Sequence, residues 1–298
     1  MATTSARTIL VTGANRGLGQ ATSRRLARDG HRLILTARDE AKATLAEQQV
    51  RDAAPGAAVS TRVLDLASLA STRALAAALL DAGEPIDVLV HDAGVLFPPD
   101  ERALTEDGVE LCLQVHAVAP LLLTRALLPV LARPSRVWML GSSLHYPGMR
   151  GAEVDYRHDD PNLDTRYHPE RAYKNSKLAL LWVAYELERR LGPHGVHVDV
   201  VSPGFVPATA ASGVKRPLMR WAMQHVMPHM PFATTLDDSA DHLAKLFGDS
   251  PADELGGRYF HEWKPKASSD QSLEPAQAQQ FWRWACERAG LPEEVGGG

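Results

Sequence analysis

Short apolar runs alternate with stretches of helical periodicity along most of the chain. Apolar runs typical of buried parallel strands occupy residues 8–12, 32–36, 59–64, 86–90, 135–140 and 196–201. Between and after these runs, the periodicity predicts helices at residues 17–29, 40–52, 68–81, 107–132, 169–191 and 236–248. This alternation predicts an α/β fold of the Rossmann type, in which a doubly wound parallel sheet carries helices on both faces.

Two irregular segments interrupt the alternation, and a helix follows it. Residues 143–168 are polar, and residues 203–232 are rich in proline, methionine and aromatic side chains, with helical character around 214–225. We expect both to be insertions beside the substrate, with surface decoration as the alternative. The apolar spacing within residues 274–289 predicts a C-terminal helix. No linker separates these parts, so residues 1–298 are expected to form a single domain.

Composition and charge exclude several classes of function. The 298 residues carry a formal net charge of −4, which gives no long-range attraction to nucleic acid or anionic membrane. Cys112 and Cys286 are too few for a disulfide framework and match no metal-ligand spacing. Neither a signal peptide nor an apolar run of the roughly 20 residues that span a membrane is visible. We therefore expect a cytoplasmic protein without a metal.

A glycine-rich turn lies between the first predicted strand and the first predicted helix. It reads Thr-Gly-Ala-Asn-Arg-Gly-Leu-Gly from Thr12 to Gly19. Glycine at positions 13, 17 and 19 allows backbone amides to approach a pyrophosphate at the helix N-terminus. The position of the turn, directly after an apolar strand, favours a dinucleotide site over an ordinary turn.

The end of the second strand bears on the choice of cofactor. An acidic residue there would bind the adenosine ribose of NAD, but this chain has Arg38, with Asp39 one position later. Arg16 lies inside the glycine turn, and two guanidinium groups suit a 2′-phosphate. The pattern favours NADP(H), with NADPH preferred over NADH, although either arginine alone could be a surface charge.

Tyr173 and Lys177 lie four residues apart in a predicted helix, so both side chains share one face. An ammonium beside a phenol lowers the phenol pKa from about 10 toward neutrality. The pair therefore predicts a general acid/base for a carbonyl or alcohol oxygen.

These motifs together resemble those of the short-chain dehydrogenase/reductase family. The resemblance rests on the glycine turn, Asp65, Ala93-Gly94, Ser143, the pair of Tyr173 and Lys177, and Pro203-Gly204, in the family's order and spacing. It covers about residues 7–260. Segments 107–111, 121–124 and 173–180 are most similar to the branch of retinol dehydrogenases and protochlorophyllide reductases.

The resemblance implies a role for each matching residue. Tyr173 would be the proton donor in reduction, and Lys177 would lower its pKa and bind the nicotinamide ribose. Ser143 would hydrogen-bond the substrate oxygen, with Ser142 as the alternative. The cofactor-binding residues would be Gly13, Asn15, Arg16, Gly17, Leu18, Gly19, Arg38, Asp65, Leu66, Asp92, Ala93, Gly94, Tyr173, Lys177, Pro203, Gly204 and Val206.

Two positions depart from the family pattern, and a third residue, His145, has two possible locations. Asp92 replaces an asparagine and, when ionised, offers only hydrogen-bond acceptors. His116 replaces the catalytic asparagine whose water links the lysine to solvent, so both a relay and a structural role stay open. His145 is expected either in the substrate pocket or on a loop surface.

The predicted activity is interconversion of a carbonyl and an alcohol on a bulky, apolar small molecule. An adaptable apolar lid is favoured over core packing for Met219, Trp221, Met223, Met227, Met230 and Phe232. The alternatives are a reductase of C=N or C=C bonds in natural-product tailoring and a non-redox NADP(H)-bound sensor or scaffold. The family often forms homodimers or homotetramers through the helices around 107–132 and 169–191, which the C-terminal extension could block.

Overall fold

The computed structural model describes residues 6–149, 151–210, 217–227, 230 and 233–295. Its sheet has eight strands, in the order β3-β2-β1-β4-β5-β6-β7-β8, and all are parallel except β8, which runs antiparallel to β7. The strands are β1 (Thr8–Val11), β2 (Arg32–Ala37), β3 (Val59–Val63), β4 (Ile86–His91), β5 (Leu131–Leu140), β6 (Val196–Ser202), β7 (Tyr259–His261) and β8 (Lys264–Lys266). The predicted Rossmann-type fold in a single domain is confirmed.

Helices cover both faces of the sheet, and each face has its own apolar core. One core contains side chains of α1 (Gly17–Arg28), α2 (Glu40–Ala53) and α9 (Leu236–Asp249). The other contains side chains of α3 (Leu69–Ala82), α4 (Leu111–Leu113), α5 (Ala119–Ala126), α6 (Pro169–Leu191) and α10 (Pro275–Arg288). The short helices α7 (Pro207–Ala210) and α8 (Pro217–His225) follow β6. Apolar strands covered on both sides are what a parallel sheet requires.

The predicted helix 107–132 is too long at both ends. It begins at Leu111, where the Glu110 carboxylate accepts a hydrogen bond from the Leu113 N–H at 2.9 Å, and it ends at Ala126 after a π-helical turn (Gln114–Val118). Leu131 already belongs to β5 and pairs with Ile86. A continuous apolar run suits a buried helix and a buried strand equally, so periodicity did not locate the boundary.

The predicted C-terminal helix is present as α10, which packs on α6. Phe281 and Trp282 are buried, whereas Trp284 is only partly buried. The Arg190 guanidinium lies 4.1 Å from the ring centre of Trp282. Helix α10 therefore covers part of the α5 and α6 surface through which the resemblance predicts oligomers, and the oligomeric state stays a prediction.

The two insertions differ in how far they pack. Within 143–168, Tyr156 and Leu163 are buried against the core. The second insertion contains α7 and α8, and the exposed fractions of Leu218 and Trp221 are 78% and 53%. Phe232 and the side chain of Met219 lie outside the described residues. Across the described part of the chain, no helix combines the length and apolar character that crossing a membrane demands.

Candidate active site

The residues singled out from the sequence gather at the carboxyl edge of the sheet. Gly13 follows β1, Asp92 follows β4, Ser142 follows β5 and Pro203 follows β6. The strand order reverses between β1 and β4, which is where ligands bind in open α/β sheets. The contacts of Tyr173 and Lys177 with residues 140 and 142 bring α6 to the same edge.

The glycine turn has the close backbone contacts that a phosphate cradle needs. Gly13 has a φ of +73°, and a Cβ there would lie 2.7 Å from Cα of Ala93. A Cβ at Gly19 would collide with Oδ2 of Asp92 and lie 2.9 Å from the Gly13 carbonyl. Arg16 precedes α1 without a side-chain cap, and the first turn of α1 contains no acidic residue. The turn and the positive end of α1 therefore fit the pyrophosphate of a dinucleotide.

Asp92 ties this turn to the end of β4. Its carboxyl accepts a hydrogen bond from the Gly19 N–H. Burial raises the pKa of Asp92 to about 7, against the opposing effects of the Lys177 charge and the Gly19 hydrogen bond. The acid that replaces the family's asparagine therefore titrates near neutral pH.

The adenosine side of the predicted site contains two exposed arginines. Arg16 and Arg38 are both exposed, at the glycine turn and directly after β2. Asp39 is engaged elsewhere, because it accepts the Lys42 N–H at 2.9 Å as the cap of α2 and also pairs with the Lys42 ammonium. After β3, Asp65 accepts the N–H of residue 67 at 3.0 Å and residue 66 is buried.

The hydroxyl partner of Tyr173 is Ser142. The two side chains form a hydrogen bond, and Ser142 continues the extended path of β5 with a φ of −157° and a ψ of 142°. Ser143 instead opens a 3-10 turn (Ser143–His145). The geometry thus brings the alternative serine to the tyrosine, because the extended backbone ends at Ser142 and the turn already begins at Ser143.

The charges around Tyr173 differ from the sequence-based expectation. Burial raises the pKa of Tyr173 to about 12, although the Ser142 hydrogen bond lowers it. The Lys177 ammonium donates to the Leu140 carbonyl at 2.8 Å and lies 5.7 Å from the Tyr173 ring centre. Burial also lowers the pKa of Lys177 to about 8, opposed by Asp92. The predicted low phenol pKa is therefore wrong for this structure, and Tyr173 holds its proton at neutral pH.

His116 is held by protein groups at both ring nitrogens. Its Nε2 accepts the Val95 N–H at 2.9 Å, so Nδ1 carries the proton and donates to Ser176 Oγ at 2.7 Å. Ser176 in turn donates to the Tyr173 carbonyl at 2.7 Å. Burial holds the pKa of His116 well below its ordinary value. This arrangement favours the structural interpretation, in which His116 supports the helix turn that carries Tyr173, over the water relay. No sequence motif indicated Ser176, which lies three residues after Tyr173.

The segment after β6 lies beside the glycine turn. Gly204 has a φ of +74°, and a Cβ there would lie 2.9 Å from Cγ of Glu262 in the turn between β7 and β8. Val206 is buried, and Cγ2 of Thr209 would lie 3.4 Å from a Cβ at Gly17. The segment that begins at Pro203 therefore closes one side of the predicted cofactor site.

Comparisons with known proteins identify the family of this chain. The profile of the short chain dehydrogenase family matches residues 7–137. Human retinol dehydrogenase 13 is 33% identical over 97% of this chain and 86% of its own length, and mouse retinol dehydrogenase 14 is 33% identical over 93% and 84%.

Solved structures are similar to this chain over most of its length. An uncharacterized protein from Mycobacterium paratuberculosis superposes with a TM-score of 0.74 at 28% identity, covering 97% of this chain and 95% of that one. The RhlG/NADP complex from Pseudomonas aeruginosa has a TM-score of 0.68 at 25% identity, over 87% and 96%. The chain therefore belongs to the short-chain dehydrogenase/reductase family of nicotinamide-dependent oxidoreductases, nearest its retinol dehydrogenase branch.

Proposed function

We propose that the protein interconverts a carbonyl and an alcohol on a bulky, apolar small molecule, with NADP(H) as the cofactor. The observation that carries this proposal is the hydrogen bond between the Tyr173 phenol and Ser142, with the Lys177 ammonium near the tyrosine ring. All three lie at the sheet edge that holds the glycine turn.

Each of these residues has a defined task. In reduction, Tyr173 donates its phenolic proton to the carbonyl oxygen, a step that its pKa of about 12 allows at neutral pH. The Ser142 hydroxyl hydrogen-bonds the same oxygen and stabilises its developing charge. Lys177 would hold the ribose hydroxyls of the nicotinamide half. The cofactor, when bound, supplies or accepts the hydride.

A preference for NADPH is supported by the charges at the adenosine side. Arg16 and Arg38 are exposed and available to a 2′-phosphate, which guanidinium groups bind in a forked geometry. Asp39, the acid closest to Arg38 in the chain, is engaged by Lys42 and the start of α2. The NADP complex of RhlG from Pseudomonas aeruginosa supports the same choice.

An apolar substrate is supported by side chains beyond the carboxyl ends of the central strands. Leu96 and Phe97 follow β4, Met149 follows β5 and Phe205 follows β6, with exposed fractions of 37%, 45%, 37% and 36%. Trp221 of α8 is 53% exposed. Binding sites for small molecules are lined mainly by such side chains. Retinol, named in the descriptions of the relatives, is an apolar alcohol of this kind.

Substitution of Tyr173 tests the proposal. We expect Tyr173→Phe to lower kcat for NADPH-dependent reduction of all-trans-retinaldehyde by about 10²–10⁴-fold, because the proton donor is lost. The Kd for NADPH should not change. Tyr167→Phe is the matched control, since its hydroxyl bonds the Pro99 carbonyl at 2.6 Å outside the acid/base pair. Full turnover by the Tyr173 variant would refute the role of the phenol.

A further inference from the structure

His145 bridges the strand end that carries Ser142 and a segment near the C-terminus. Its side chain is fully buried. Nε2 accepts a hydrogen bond from the Ser269 N–H at 3.1 Å, and Nδ1 lies 2.6 Å from the Ser142 carbonyl oxygen. Because an amide N–H can only donate, Nε2 is the unprotonated nitrogen and Nδ1–H donates to Ser142. The ring therefore uses both nitrogens to join residues that lie more than a hundred positions apart in the chain.

We propose that His145 is a positioning residue, which fixes the backbone of Ser142 and thereby aims the Ser142 hydroxyl at the oxygen that Tyr173 protonates. The inference rests on the proposed function, since it assigns a purpose to the orientation of Ser142. It differs from both sequence-based interpretations of His145, because the ring neither contacts solvent nor lies on a loop surface.

Two tyrosine rings pack against the imidazole of His145. Its centroid lies 4.2 Å from that of Tyr146 and 5.0 Å from that of Tyr259. The charged and titratable groups that act on it are His261 and Lys266, and both lower its pKa. Burial lowers the pKa of His145 to about 4 in total, although the bond to Ser142 raises it. The neutral ring with the proton on Nδ1 therefore persists through the physiological range.

The far end of the bridge is itself anchored. Ser268 shares a hydrogen bond with the Tyr185 hydroxyl at 2.7 Å. The Trp182 indole donates to the Gln271 carbonyl at 3.1 Å. Tyr185 and Trp182 both belong to α6, the helix that carries the acid/base tyrosine. The ring therefore contacts a segment that is held to the helix of Tyr173, while its Nδ1–H fixes the Ser142 carbonyl directly. A shift of about 1 Å at such a site costs about 10²-fold in rate.

Two conservative substitutions separate the two hydrogen bonds. His145→Asn places an amide N–H where Nδ1 lies, so it keeps the bond to Ser142 and leaves the Ser269 N–H unpaired. His145→Gln places an amide oxygen where Nε2 lies, so it keeps Ser269 and leaves the Ser142 carbonyl without this donor. His145→Phe keeps the aromatic contacts and loses both bonds. Each variant is assayed for kcat and KM with NADPH and all-trans-retinaldehyde, for NADPH Kd and for Tm.

The proposal predicts opposite outcomes for the asparagine and glutamine variants of His145. We expect the asparagine variant to keep kcat within about 3-fold of wild type with a lowered Tm, because a buried unpaired N–H destabilises the fold. The glutamine and phenylalanine variants should lose about 10–100-fold in kcat, with the Kd for NADPH unchanged. Wild-type kcat in the glutamine variant, or an equal loss of kcat in the asparagine and glutamine variants, would overturn the positioning role.

A measurement on the ring itself needs no substrate. The ¹⁵N resonances of His145 should show the neutral form protonated on Nδ1, with no titration between about pH 5.5 and 8.5. A ring that titrates near its ordinary pKa, or that carries the proton on Nε2, would overturn the bridge. If wild type reduces no carbonyl compound, the proposed function fails, while these resonances still decide whether the bridge exists.

Discussion

Replacement of Asp92 by asparagine should stabilise the protein in a way that depends on pH. The pKa of Asp92 is raised from 3.8 to about 7 by burial. Between these two pH values the folded protein keeps a proton that the unfolded chain has lost, so ionisation destabilises the fold increasingly as the pH rises and no further above about 7. Asparagine cannot ionise, and it keeps an acceptor for the Gly19 N–H.

The size of the effect follows from the raised pKa. One pKa unit corresponds to about 1.36 kcal/mol. Between pH 5 and pH 8, ionisation of a group whose pKa is about 7 in the folded protein therefore lowers the free energy of unfolding by roughly 2–3 kcal/mol. Asp92 keeps some contact with solvent and interacts with Lys177, so we expect the lower end, about 2 kcal/mol.

Urea unfolding of wild type and Asp92→Asn at pH 5 and pH 8 measures the quantity directly. The difference in free energy of unfolding between the two proteins should grow by about 2 kcal/mol in favour of asparagine at the higher pH. Glu101→Gln, which removes an exposed carboxylate, controls for the loss of one charge. A difference that is the same at both pH values would show that Asp92 ionises as an ordinary aspartate.

Three further predictions concern the cofactor, the lysine and the C-terminal helix. Arg38→Ala should weaken NADPH binding about 10-fold or more and leave NADH binding unchanged, because a charged hydrogen bond contributes about 1.5–3 kcal/mol; an unaltered NADPH/NADH preference in fluorescence titrations refutes the binding of a 2′-phosphate by Arg38. The affinity for NADPH should fall above about pH 8 as Lys177, which would hold the ribose hydroxyls, loses its charge, and Asp92→Asn should move that fall to lower pH because ionised Asp92 raises the pKa of Lys177; a pH profile of the NADPH Kd that does not move contradicts this coupling. Phe281→Ala should lower the free energy of unfolding by about 3–5 kcal/mol, since the ring is fully buried; a loss as small as that of the exposed Arg283→Ala would mean that α10 contributes little to the core.

The features that the sequence predicted correctly are local. The glycine turn from Thr12 to Gly19 lies within one strand-turn-helix unit, so residue type and spacing suffice to place it. The pair of Tyr173 and Lys177 depends only on the repeat of one helix, and α6 contains both residues. Strand and helix alternation likewise arises from short-range periodicity, which is why the order of elements was predictable.

The features that the sequence did not settle depend on backbone direction or on distant contacts. The choice between Ser142 and Ser143 follows from where extended backbone turns into a 3-10 turn, and a motif does not reveal a shift of one residue. The high pKa of Tyr173 comes from burial by other elements. The bridge from His145 to Ser269 spans residues 124 positions apart, and periodicity carries no information on such a pairing.

A single labelling measurement identifies the atom that receives the hydride. Wild-type protein is incubated with all-trans-retinaldehyde and NADPH that carries deuterium on both faces of the nicotinamide C4, and the product is analysed by mass spectrometry and NMR. We expect one deuterium on the carbinol carbon of the alcohol product, formed by wild type and nearly absent with Tyr173→Phe. Deuterium on a carbon of a former C=C bond, or tight NADPH binding without transfer to any of a panel of carbonyl compounds, would contradict carbonyl reduction as the activity of this site.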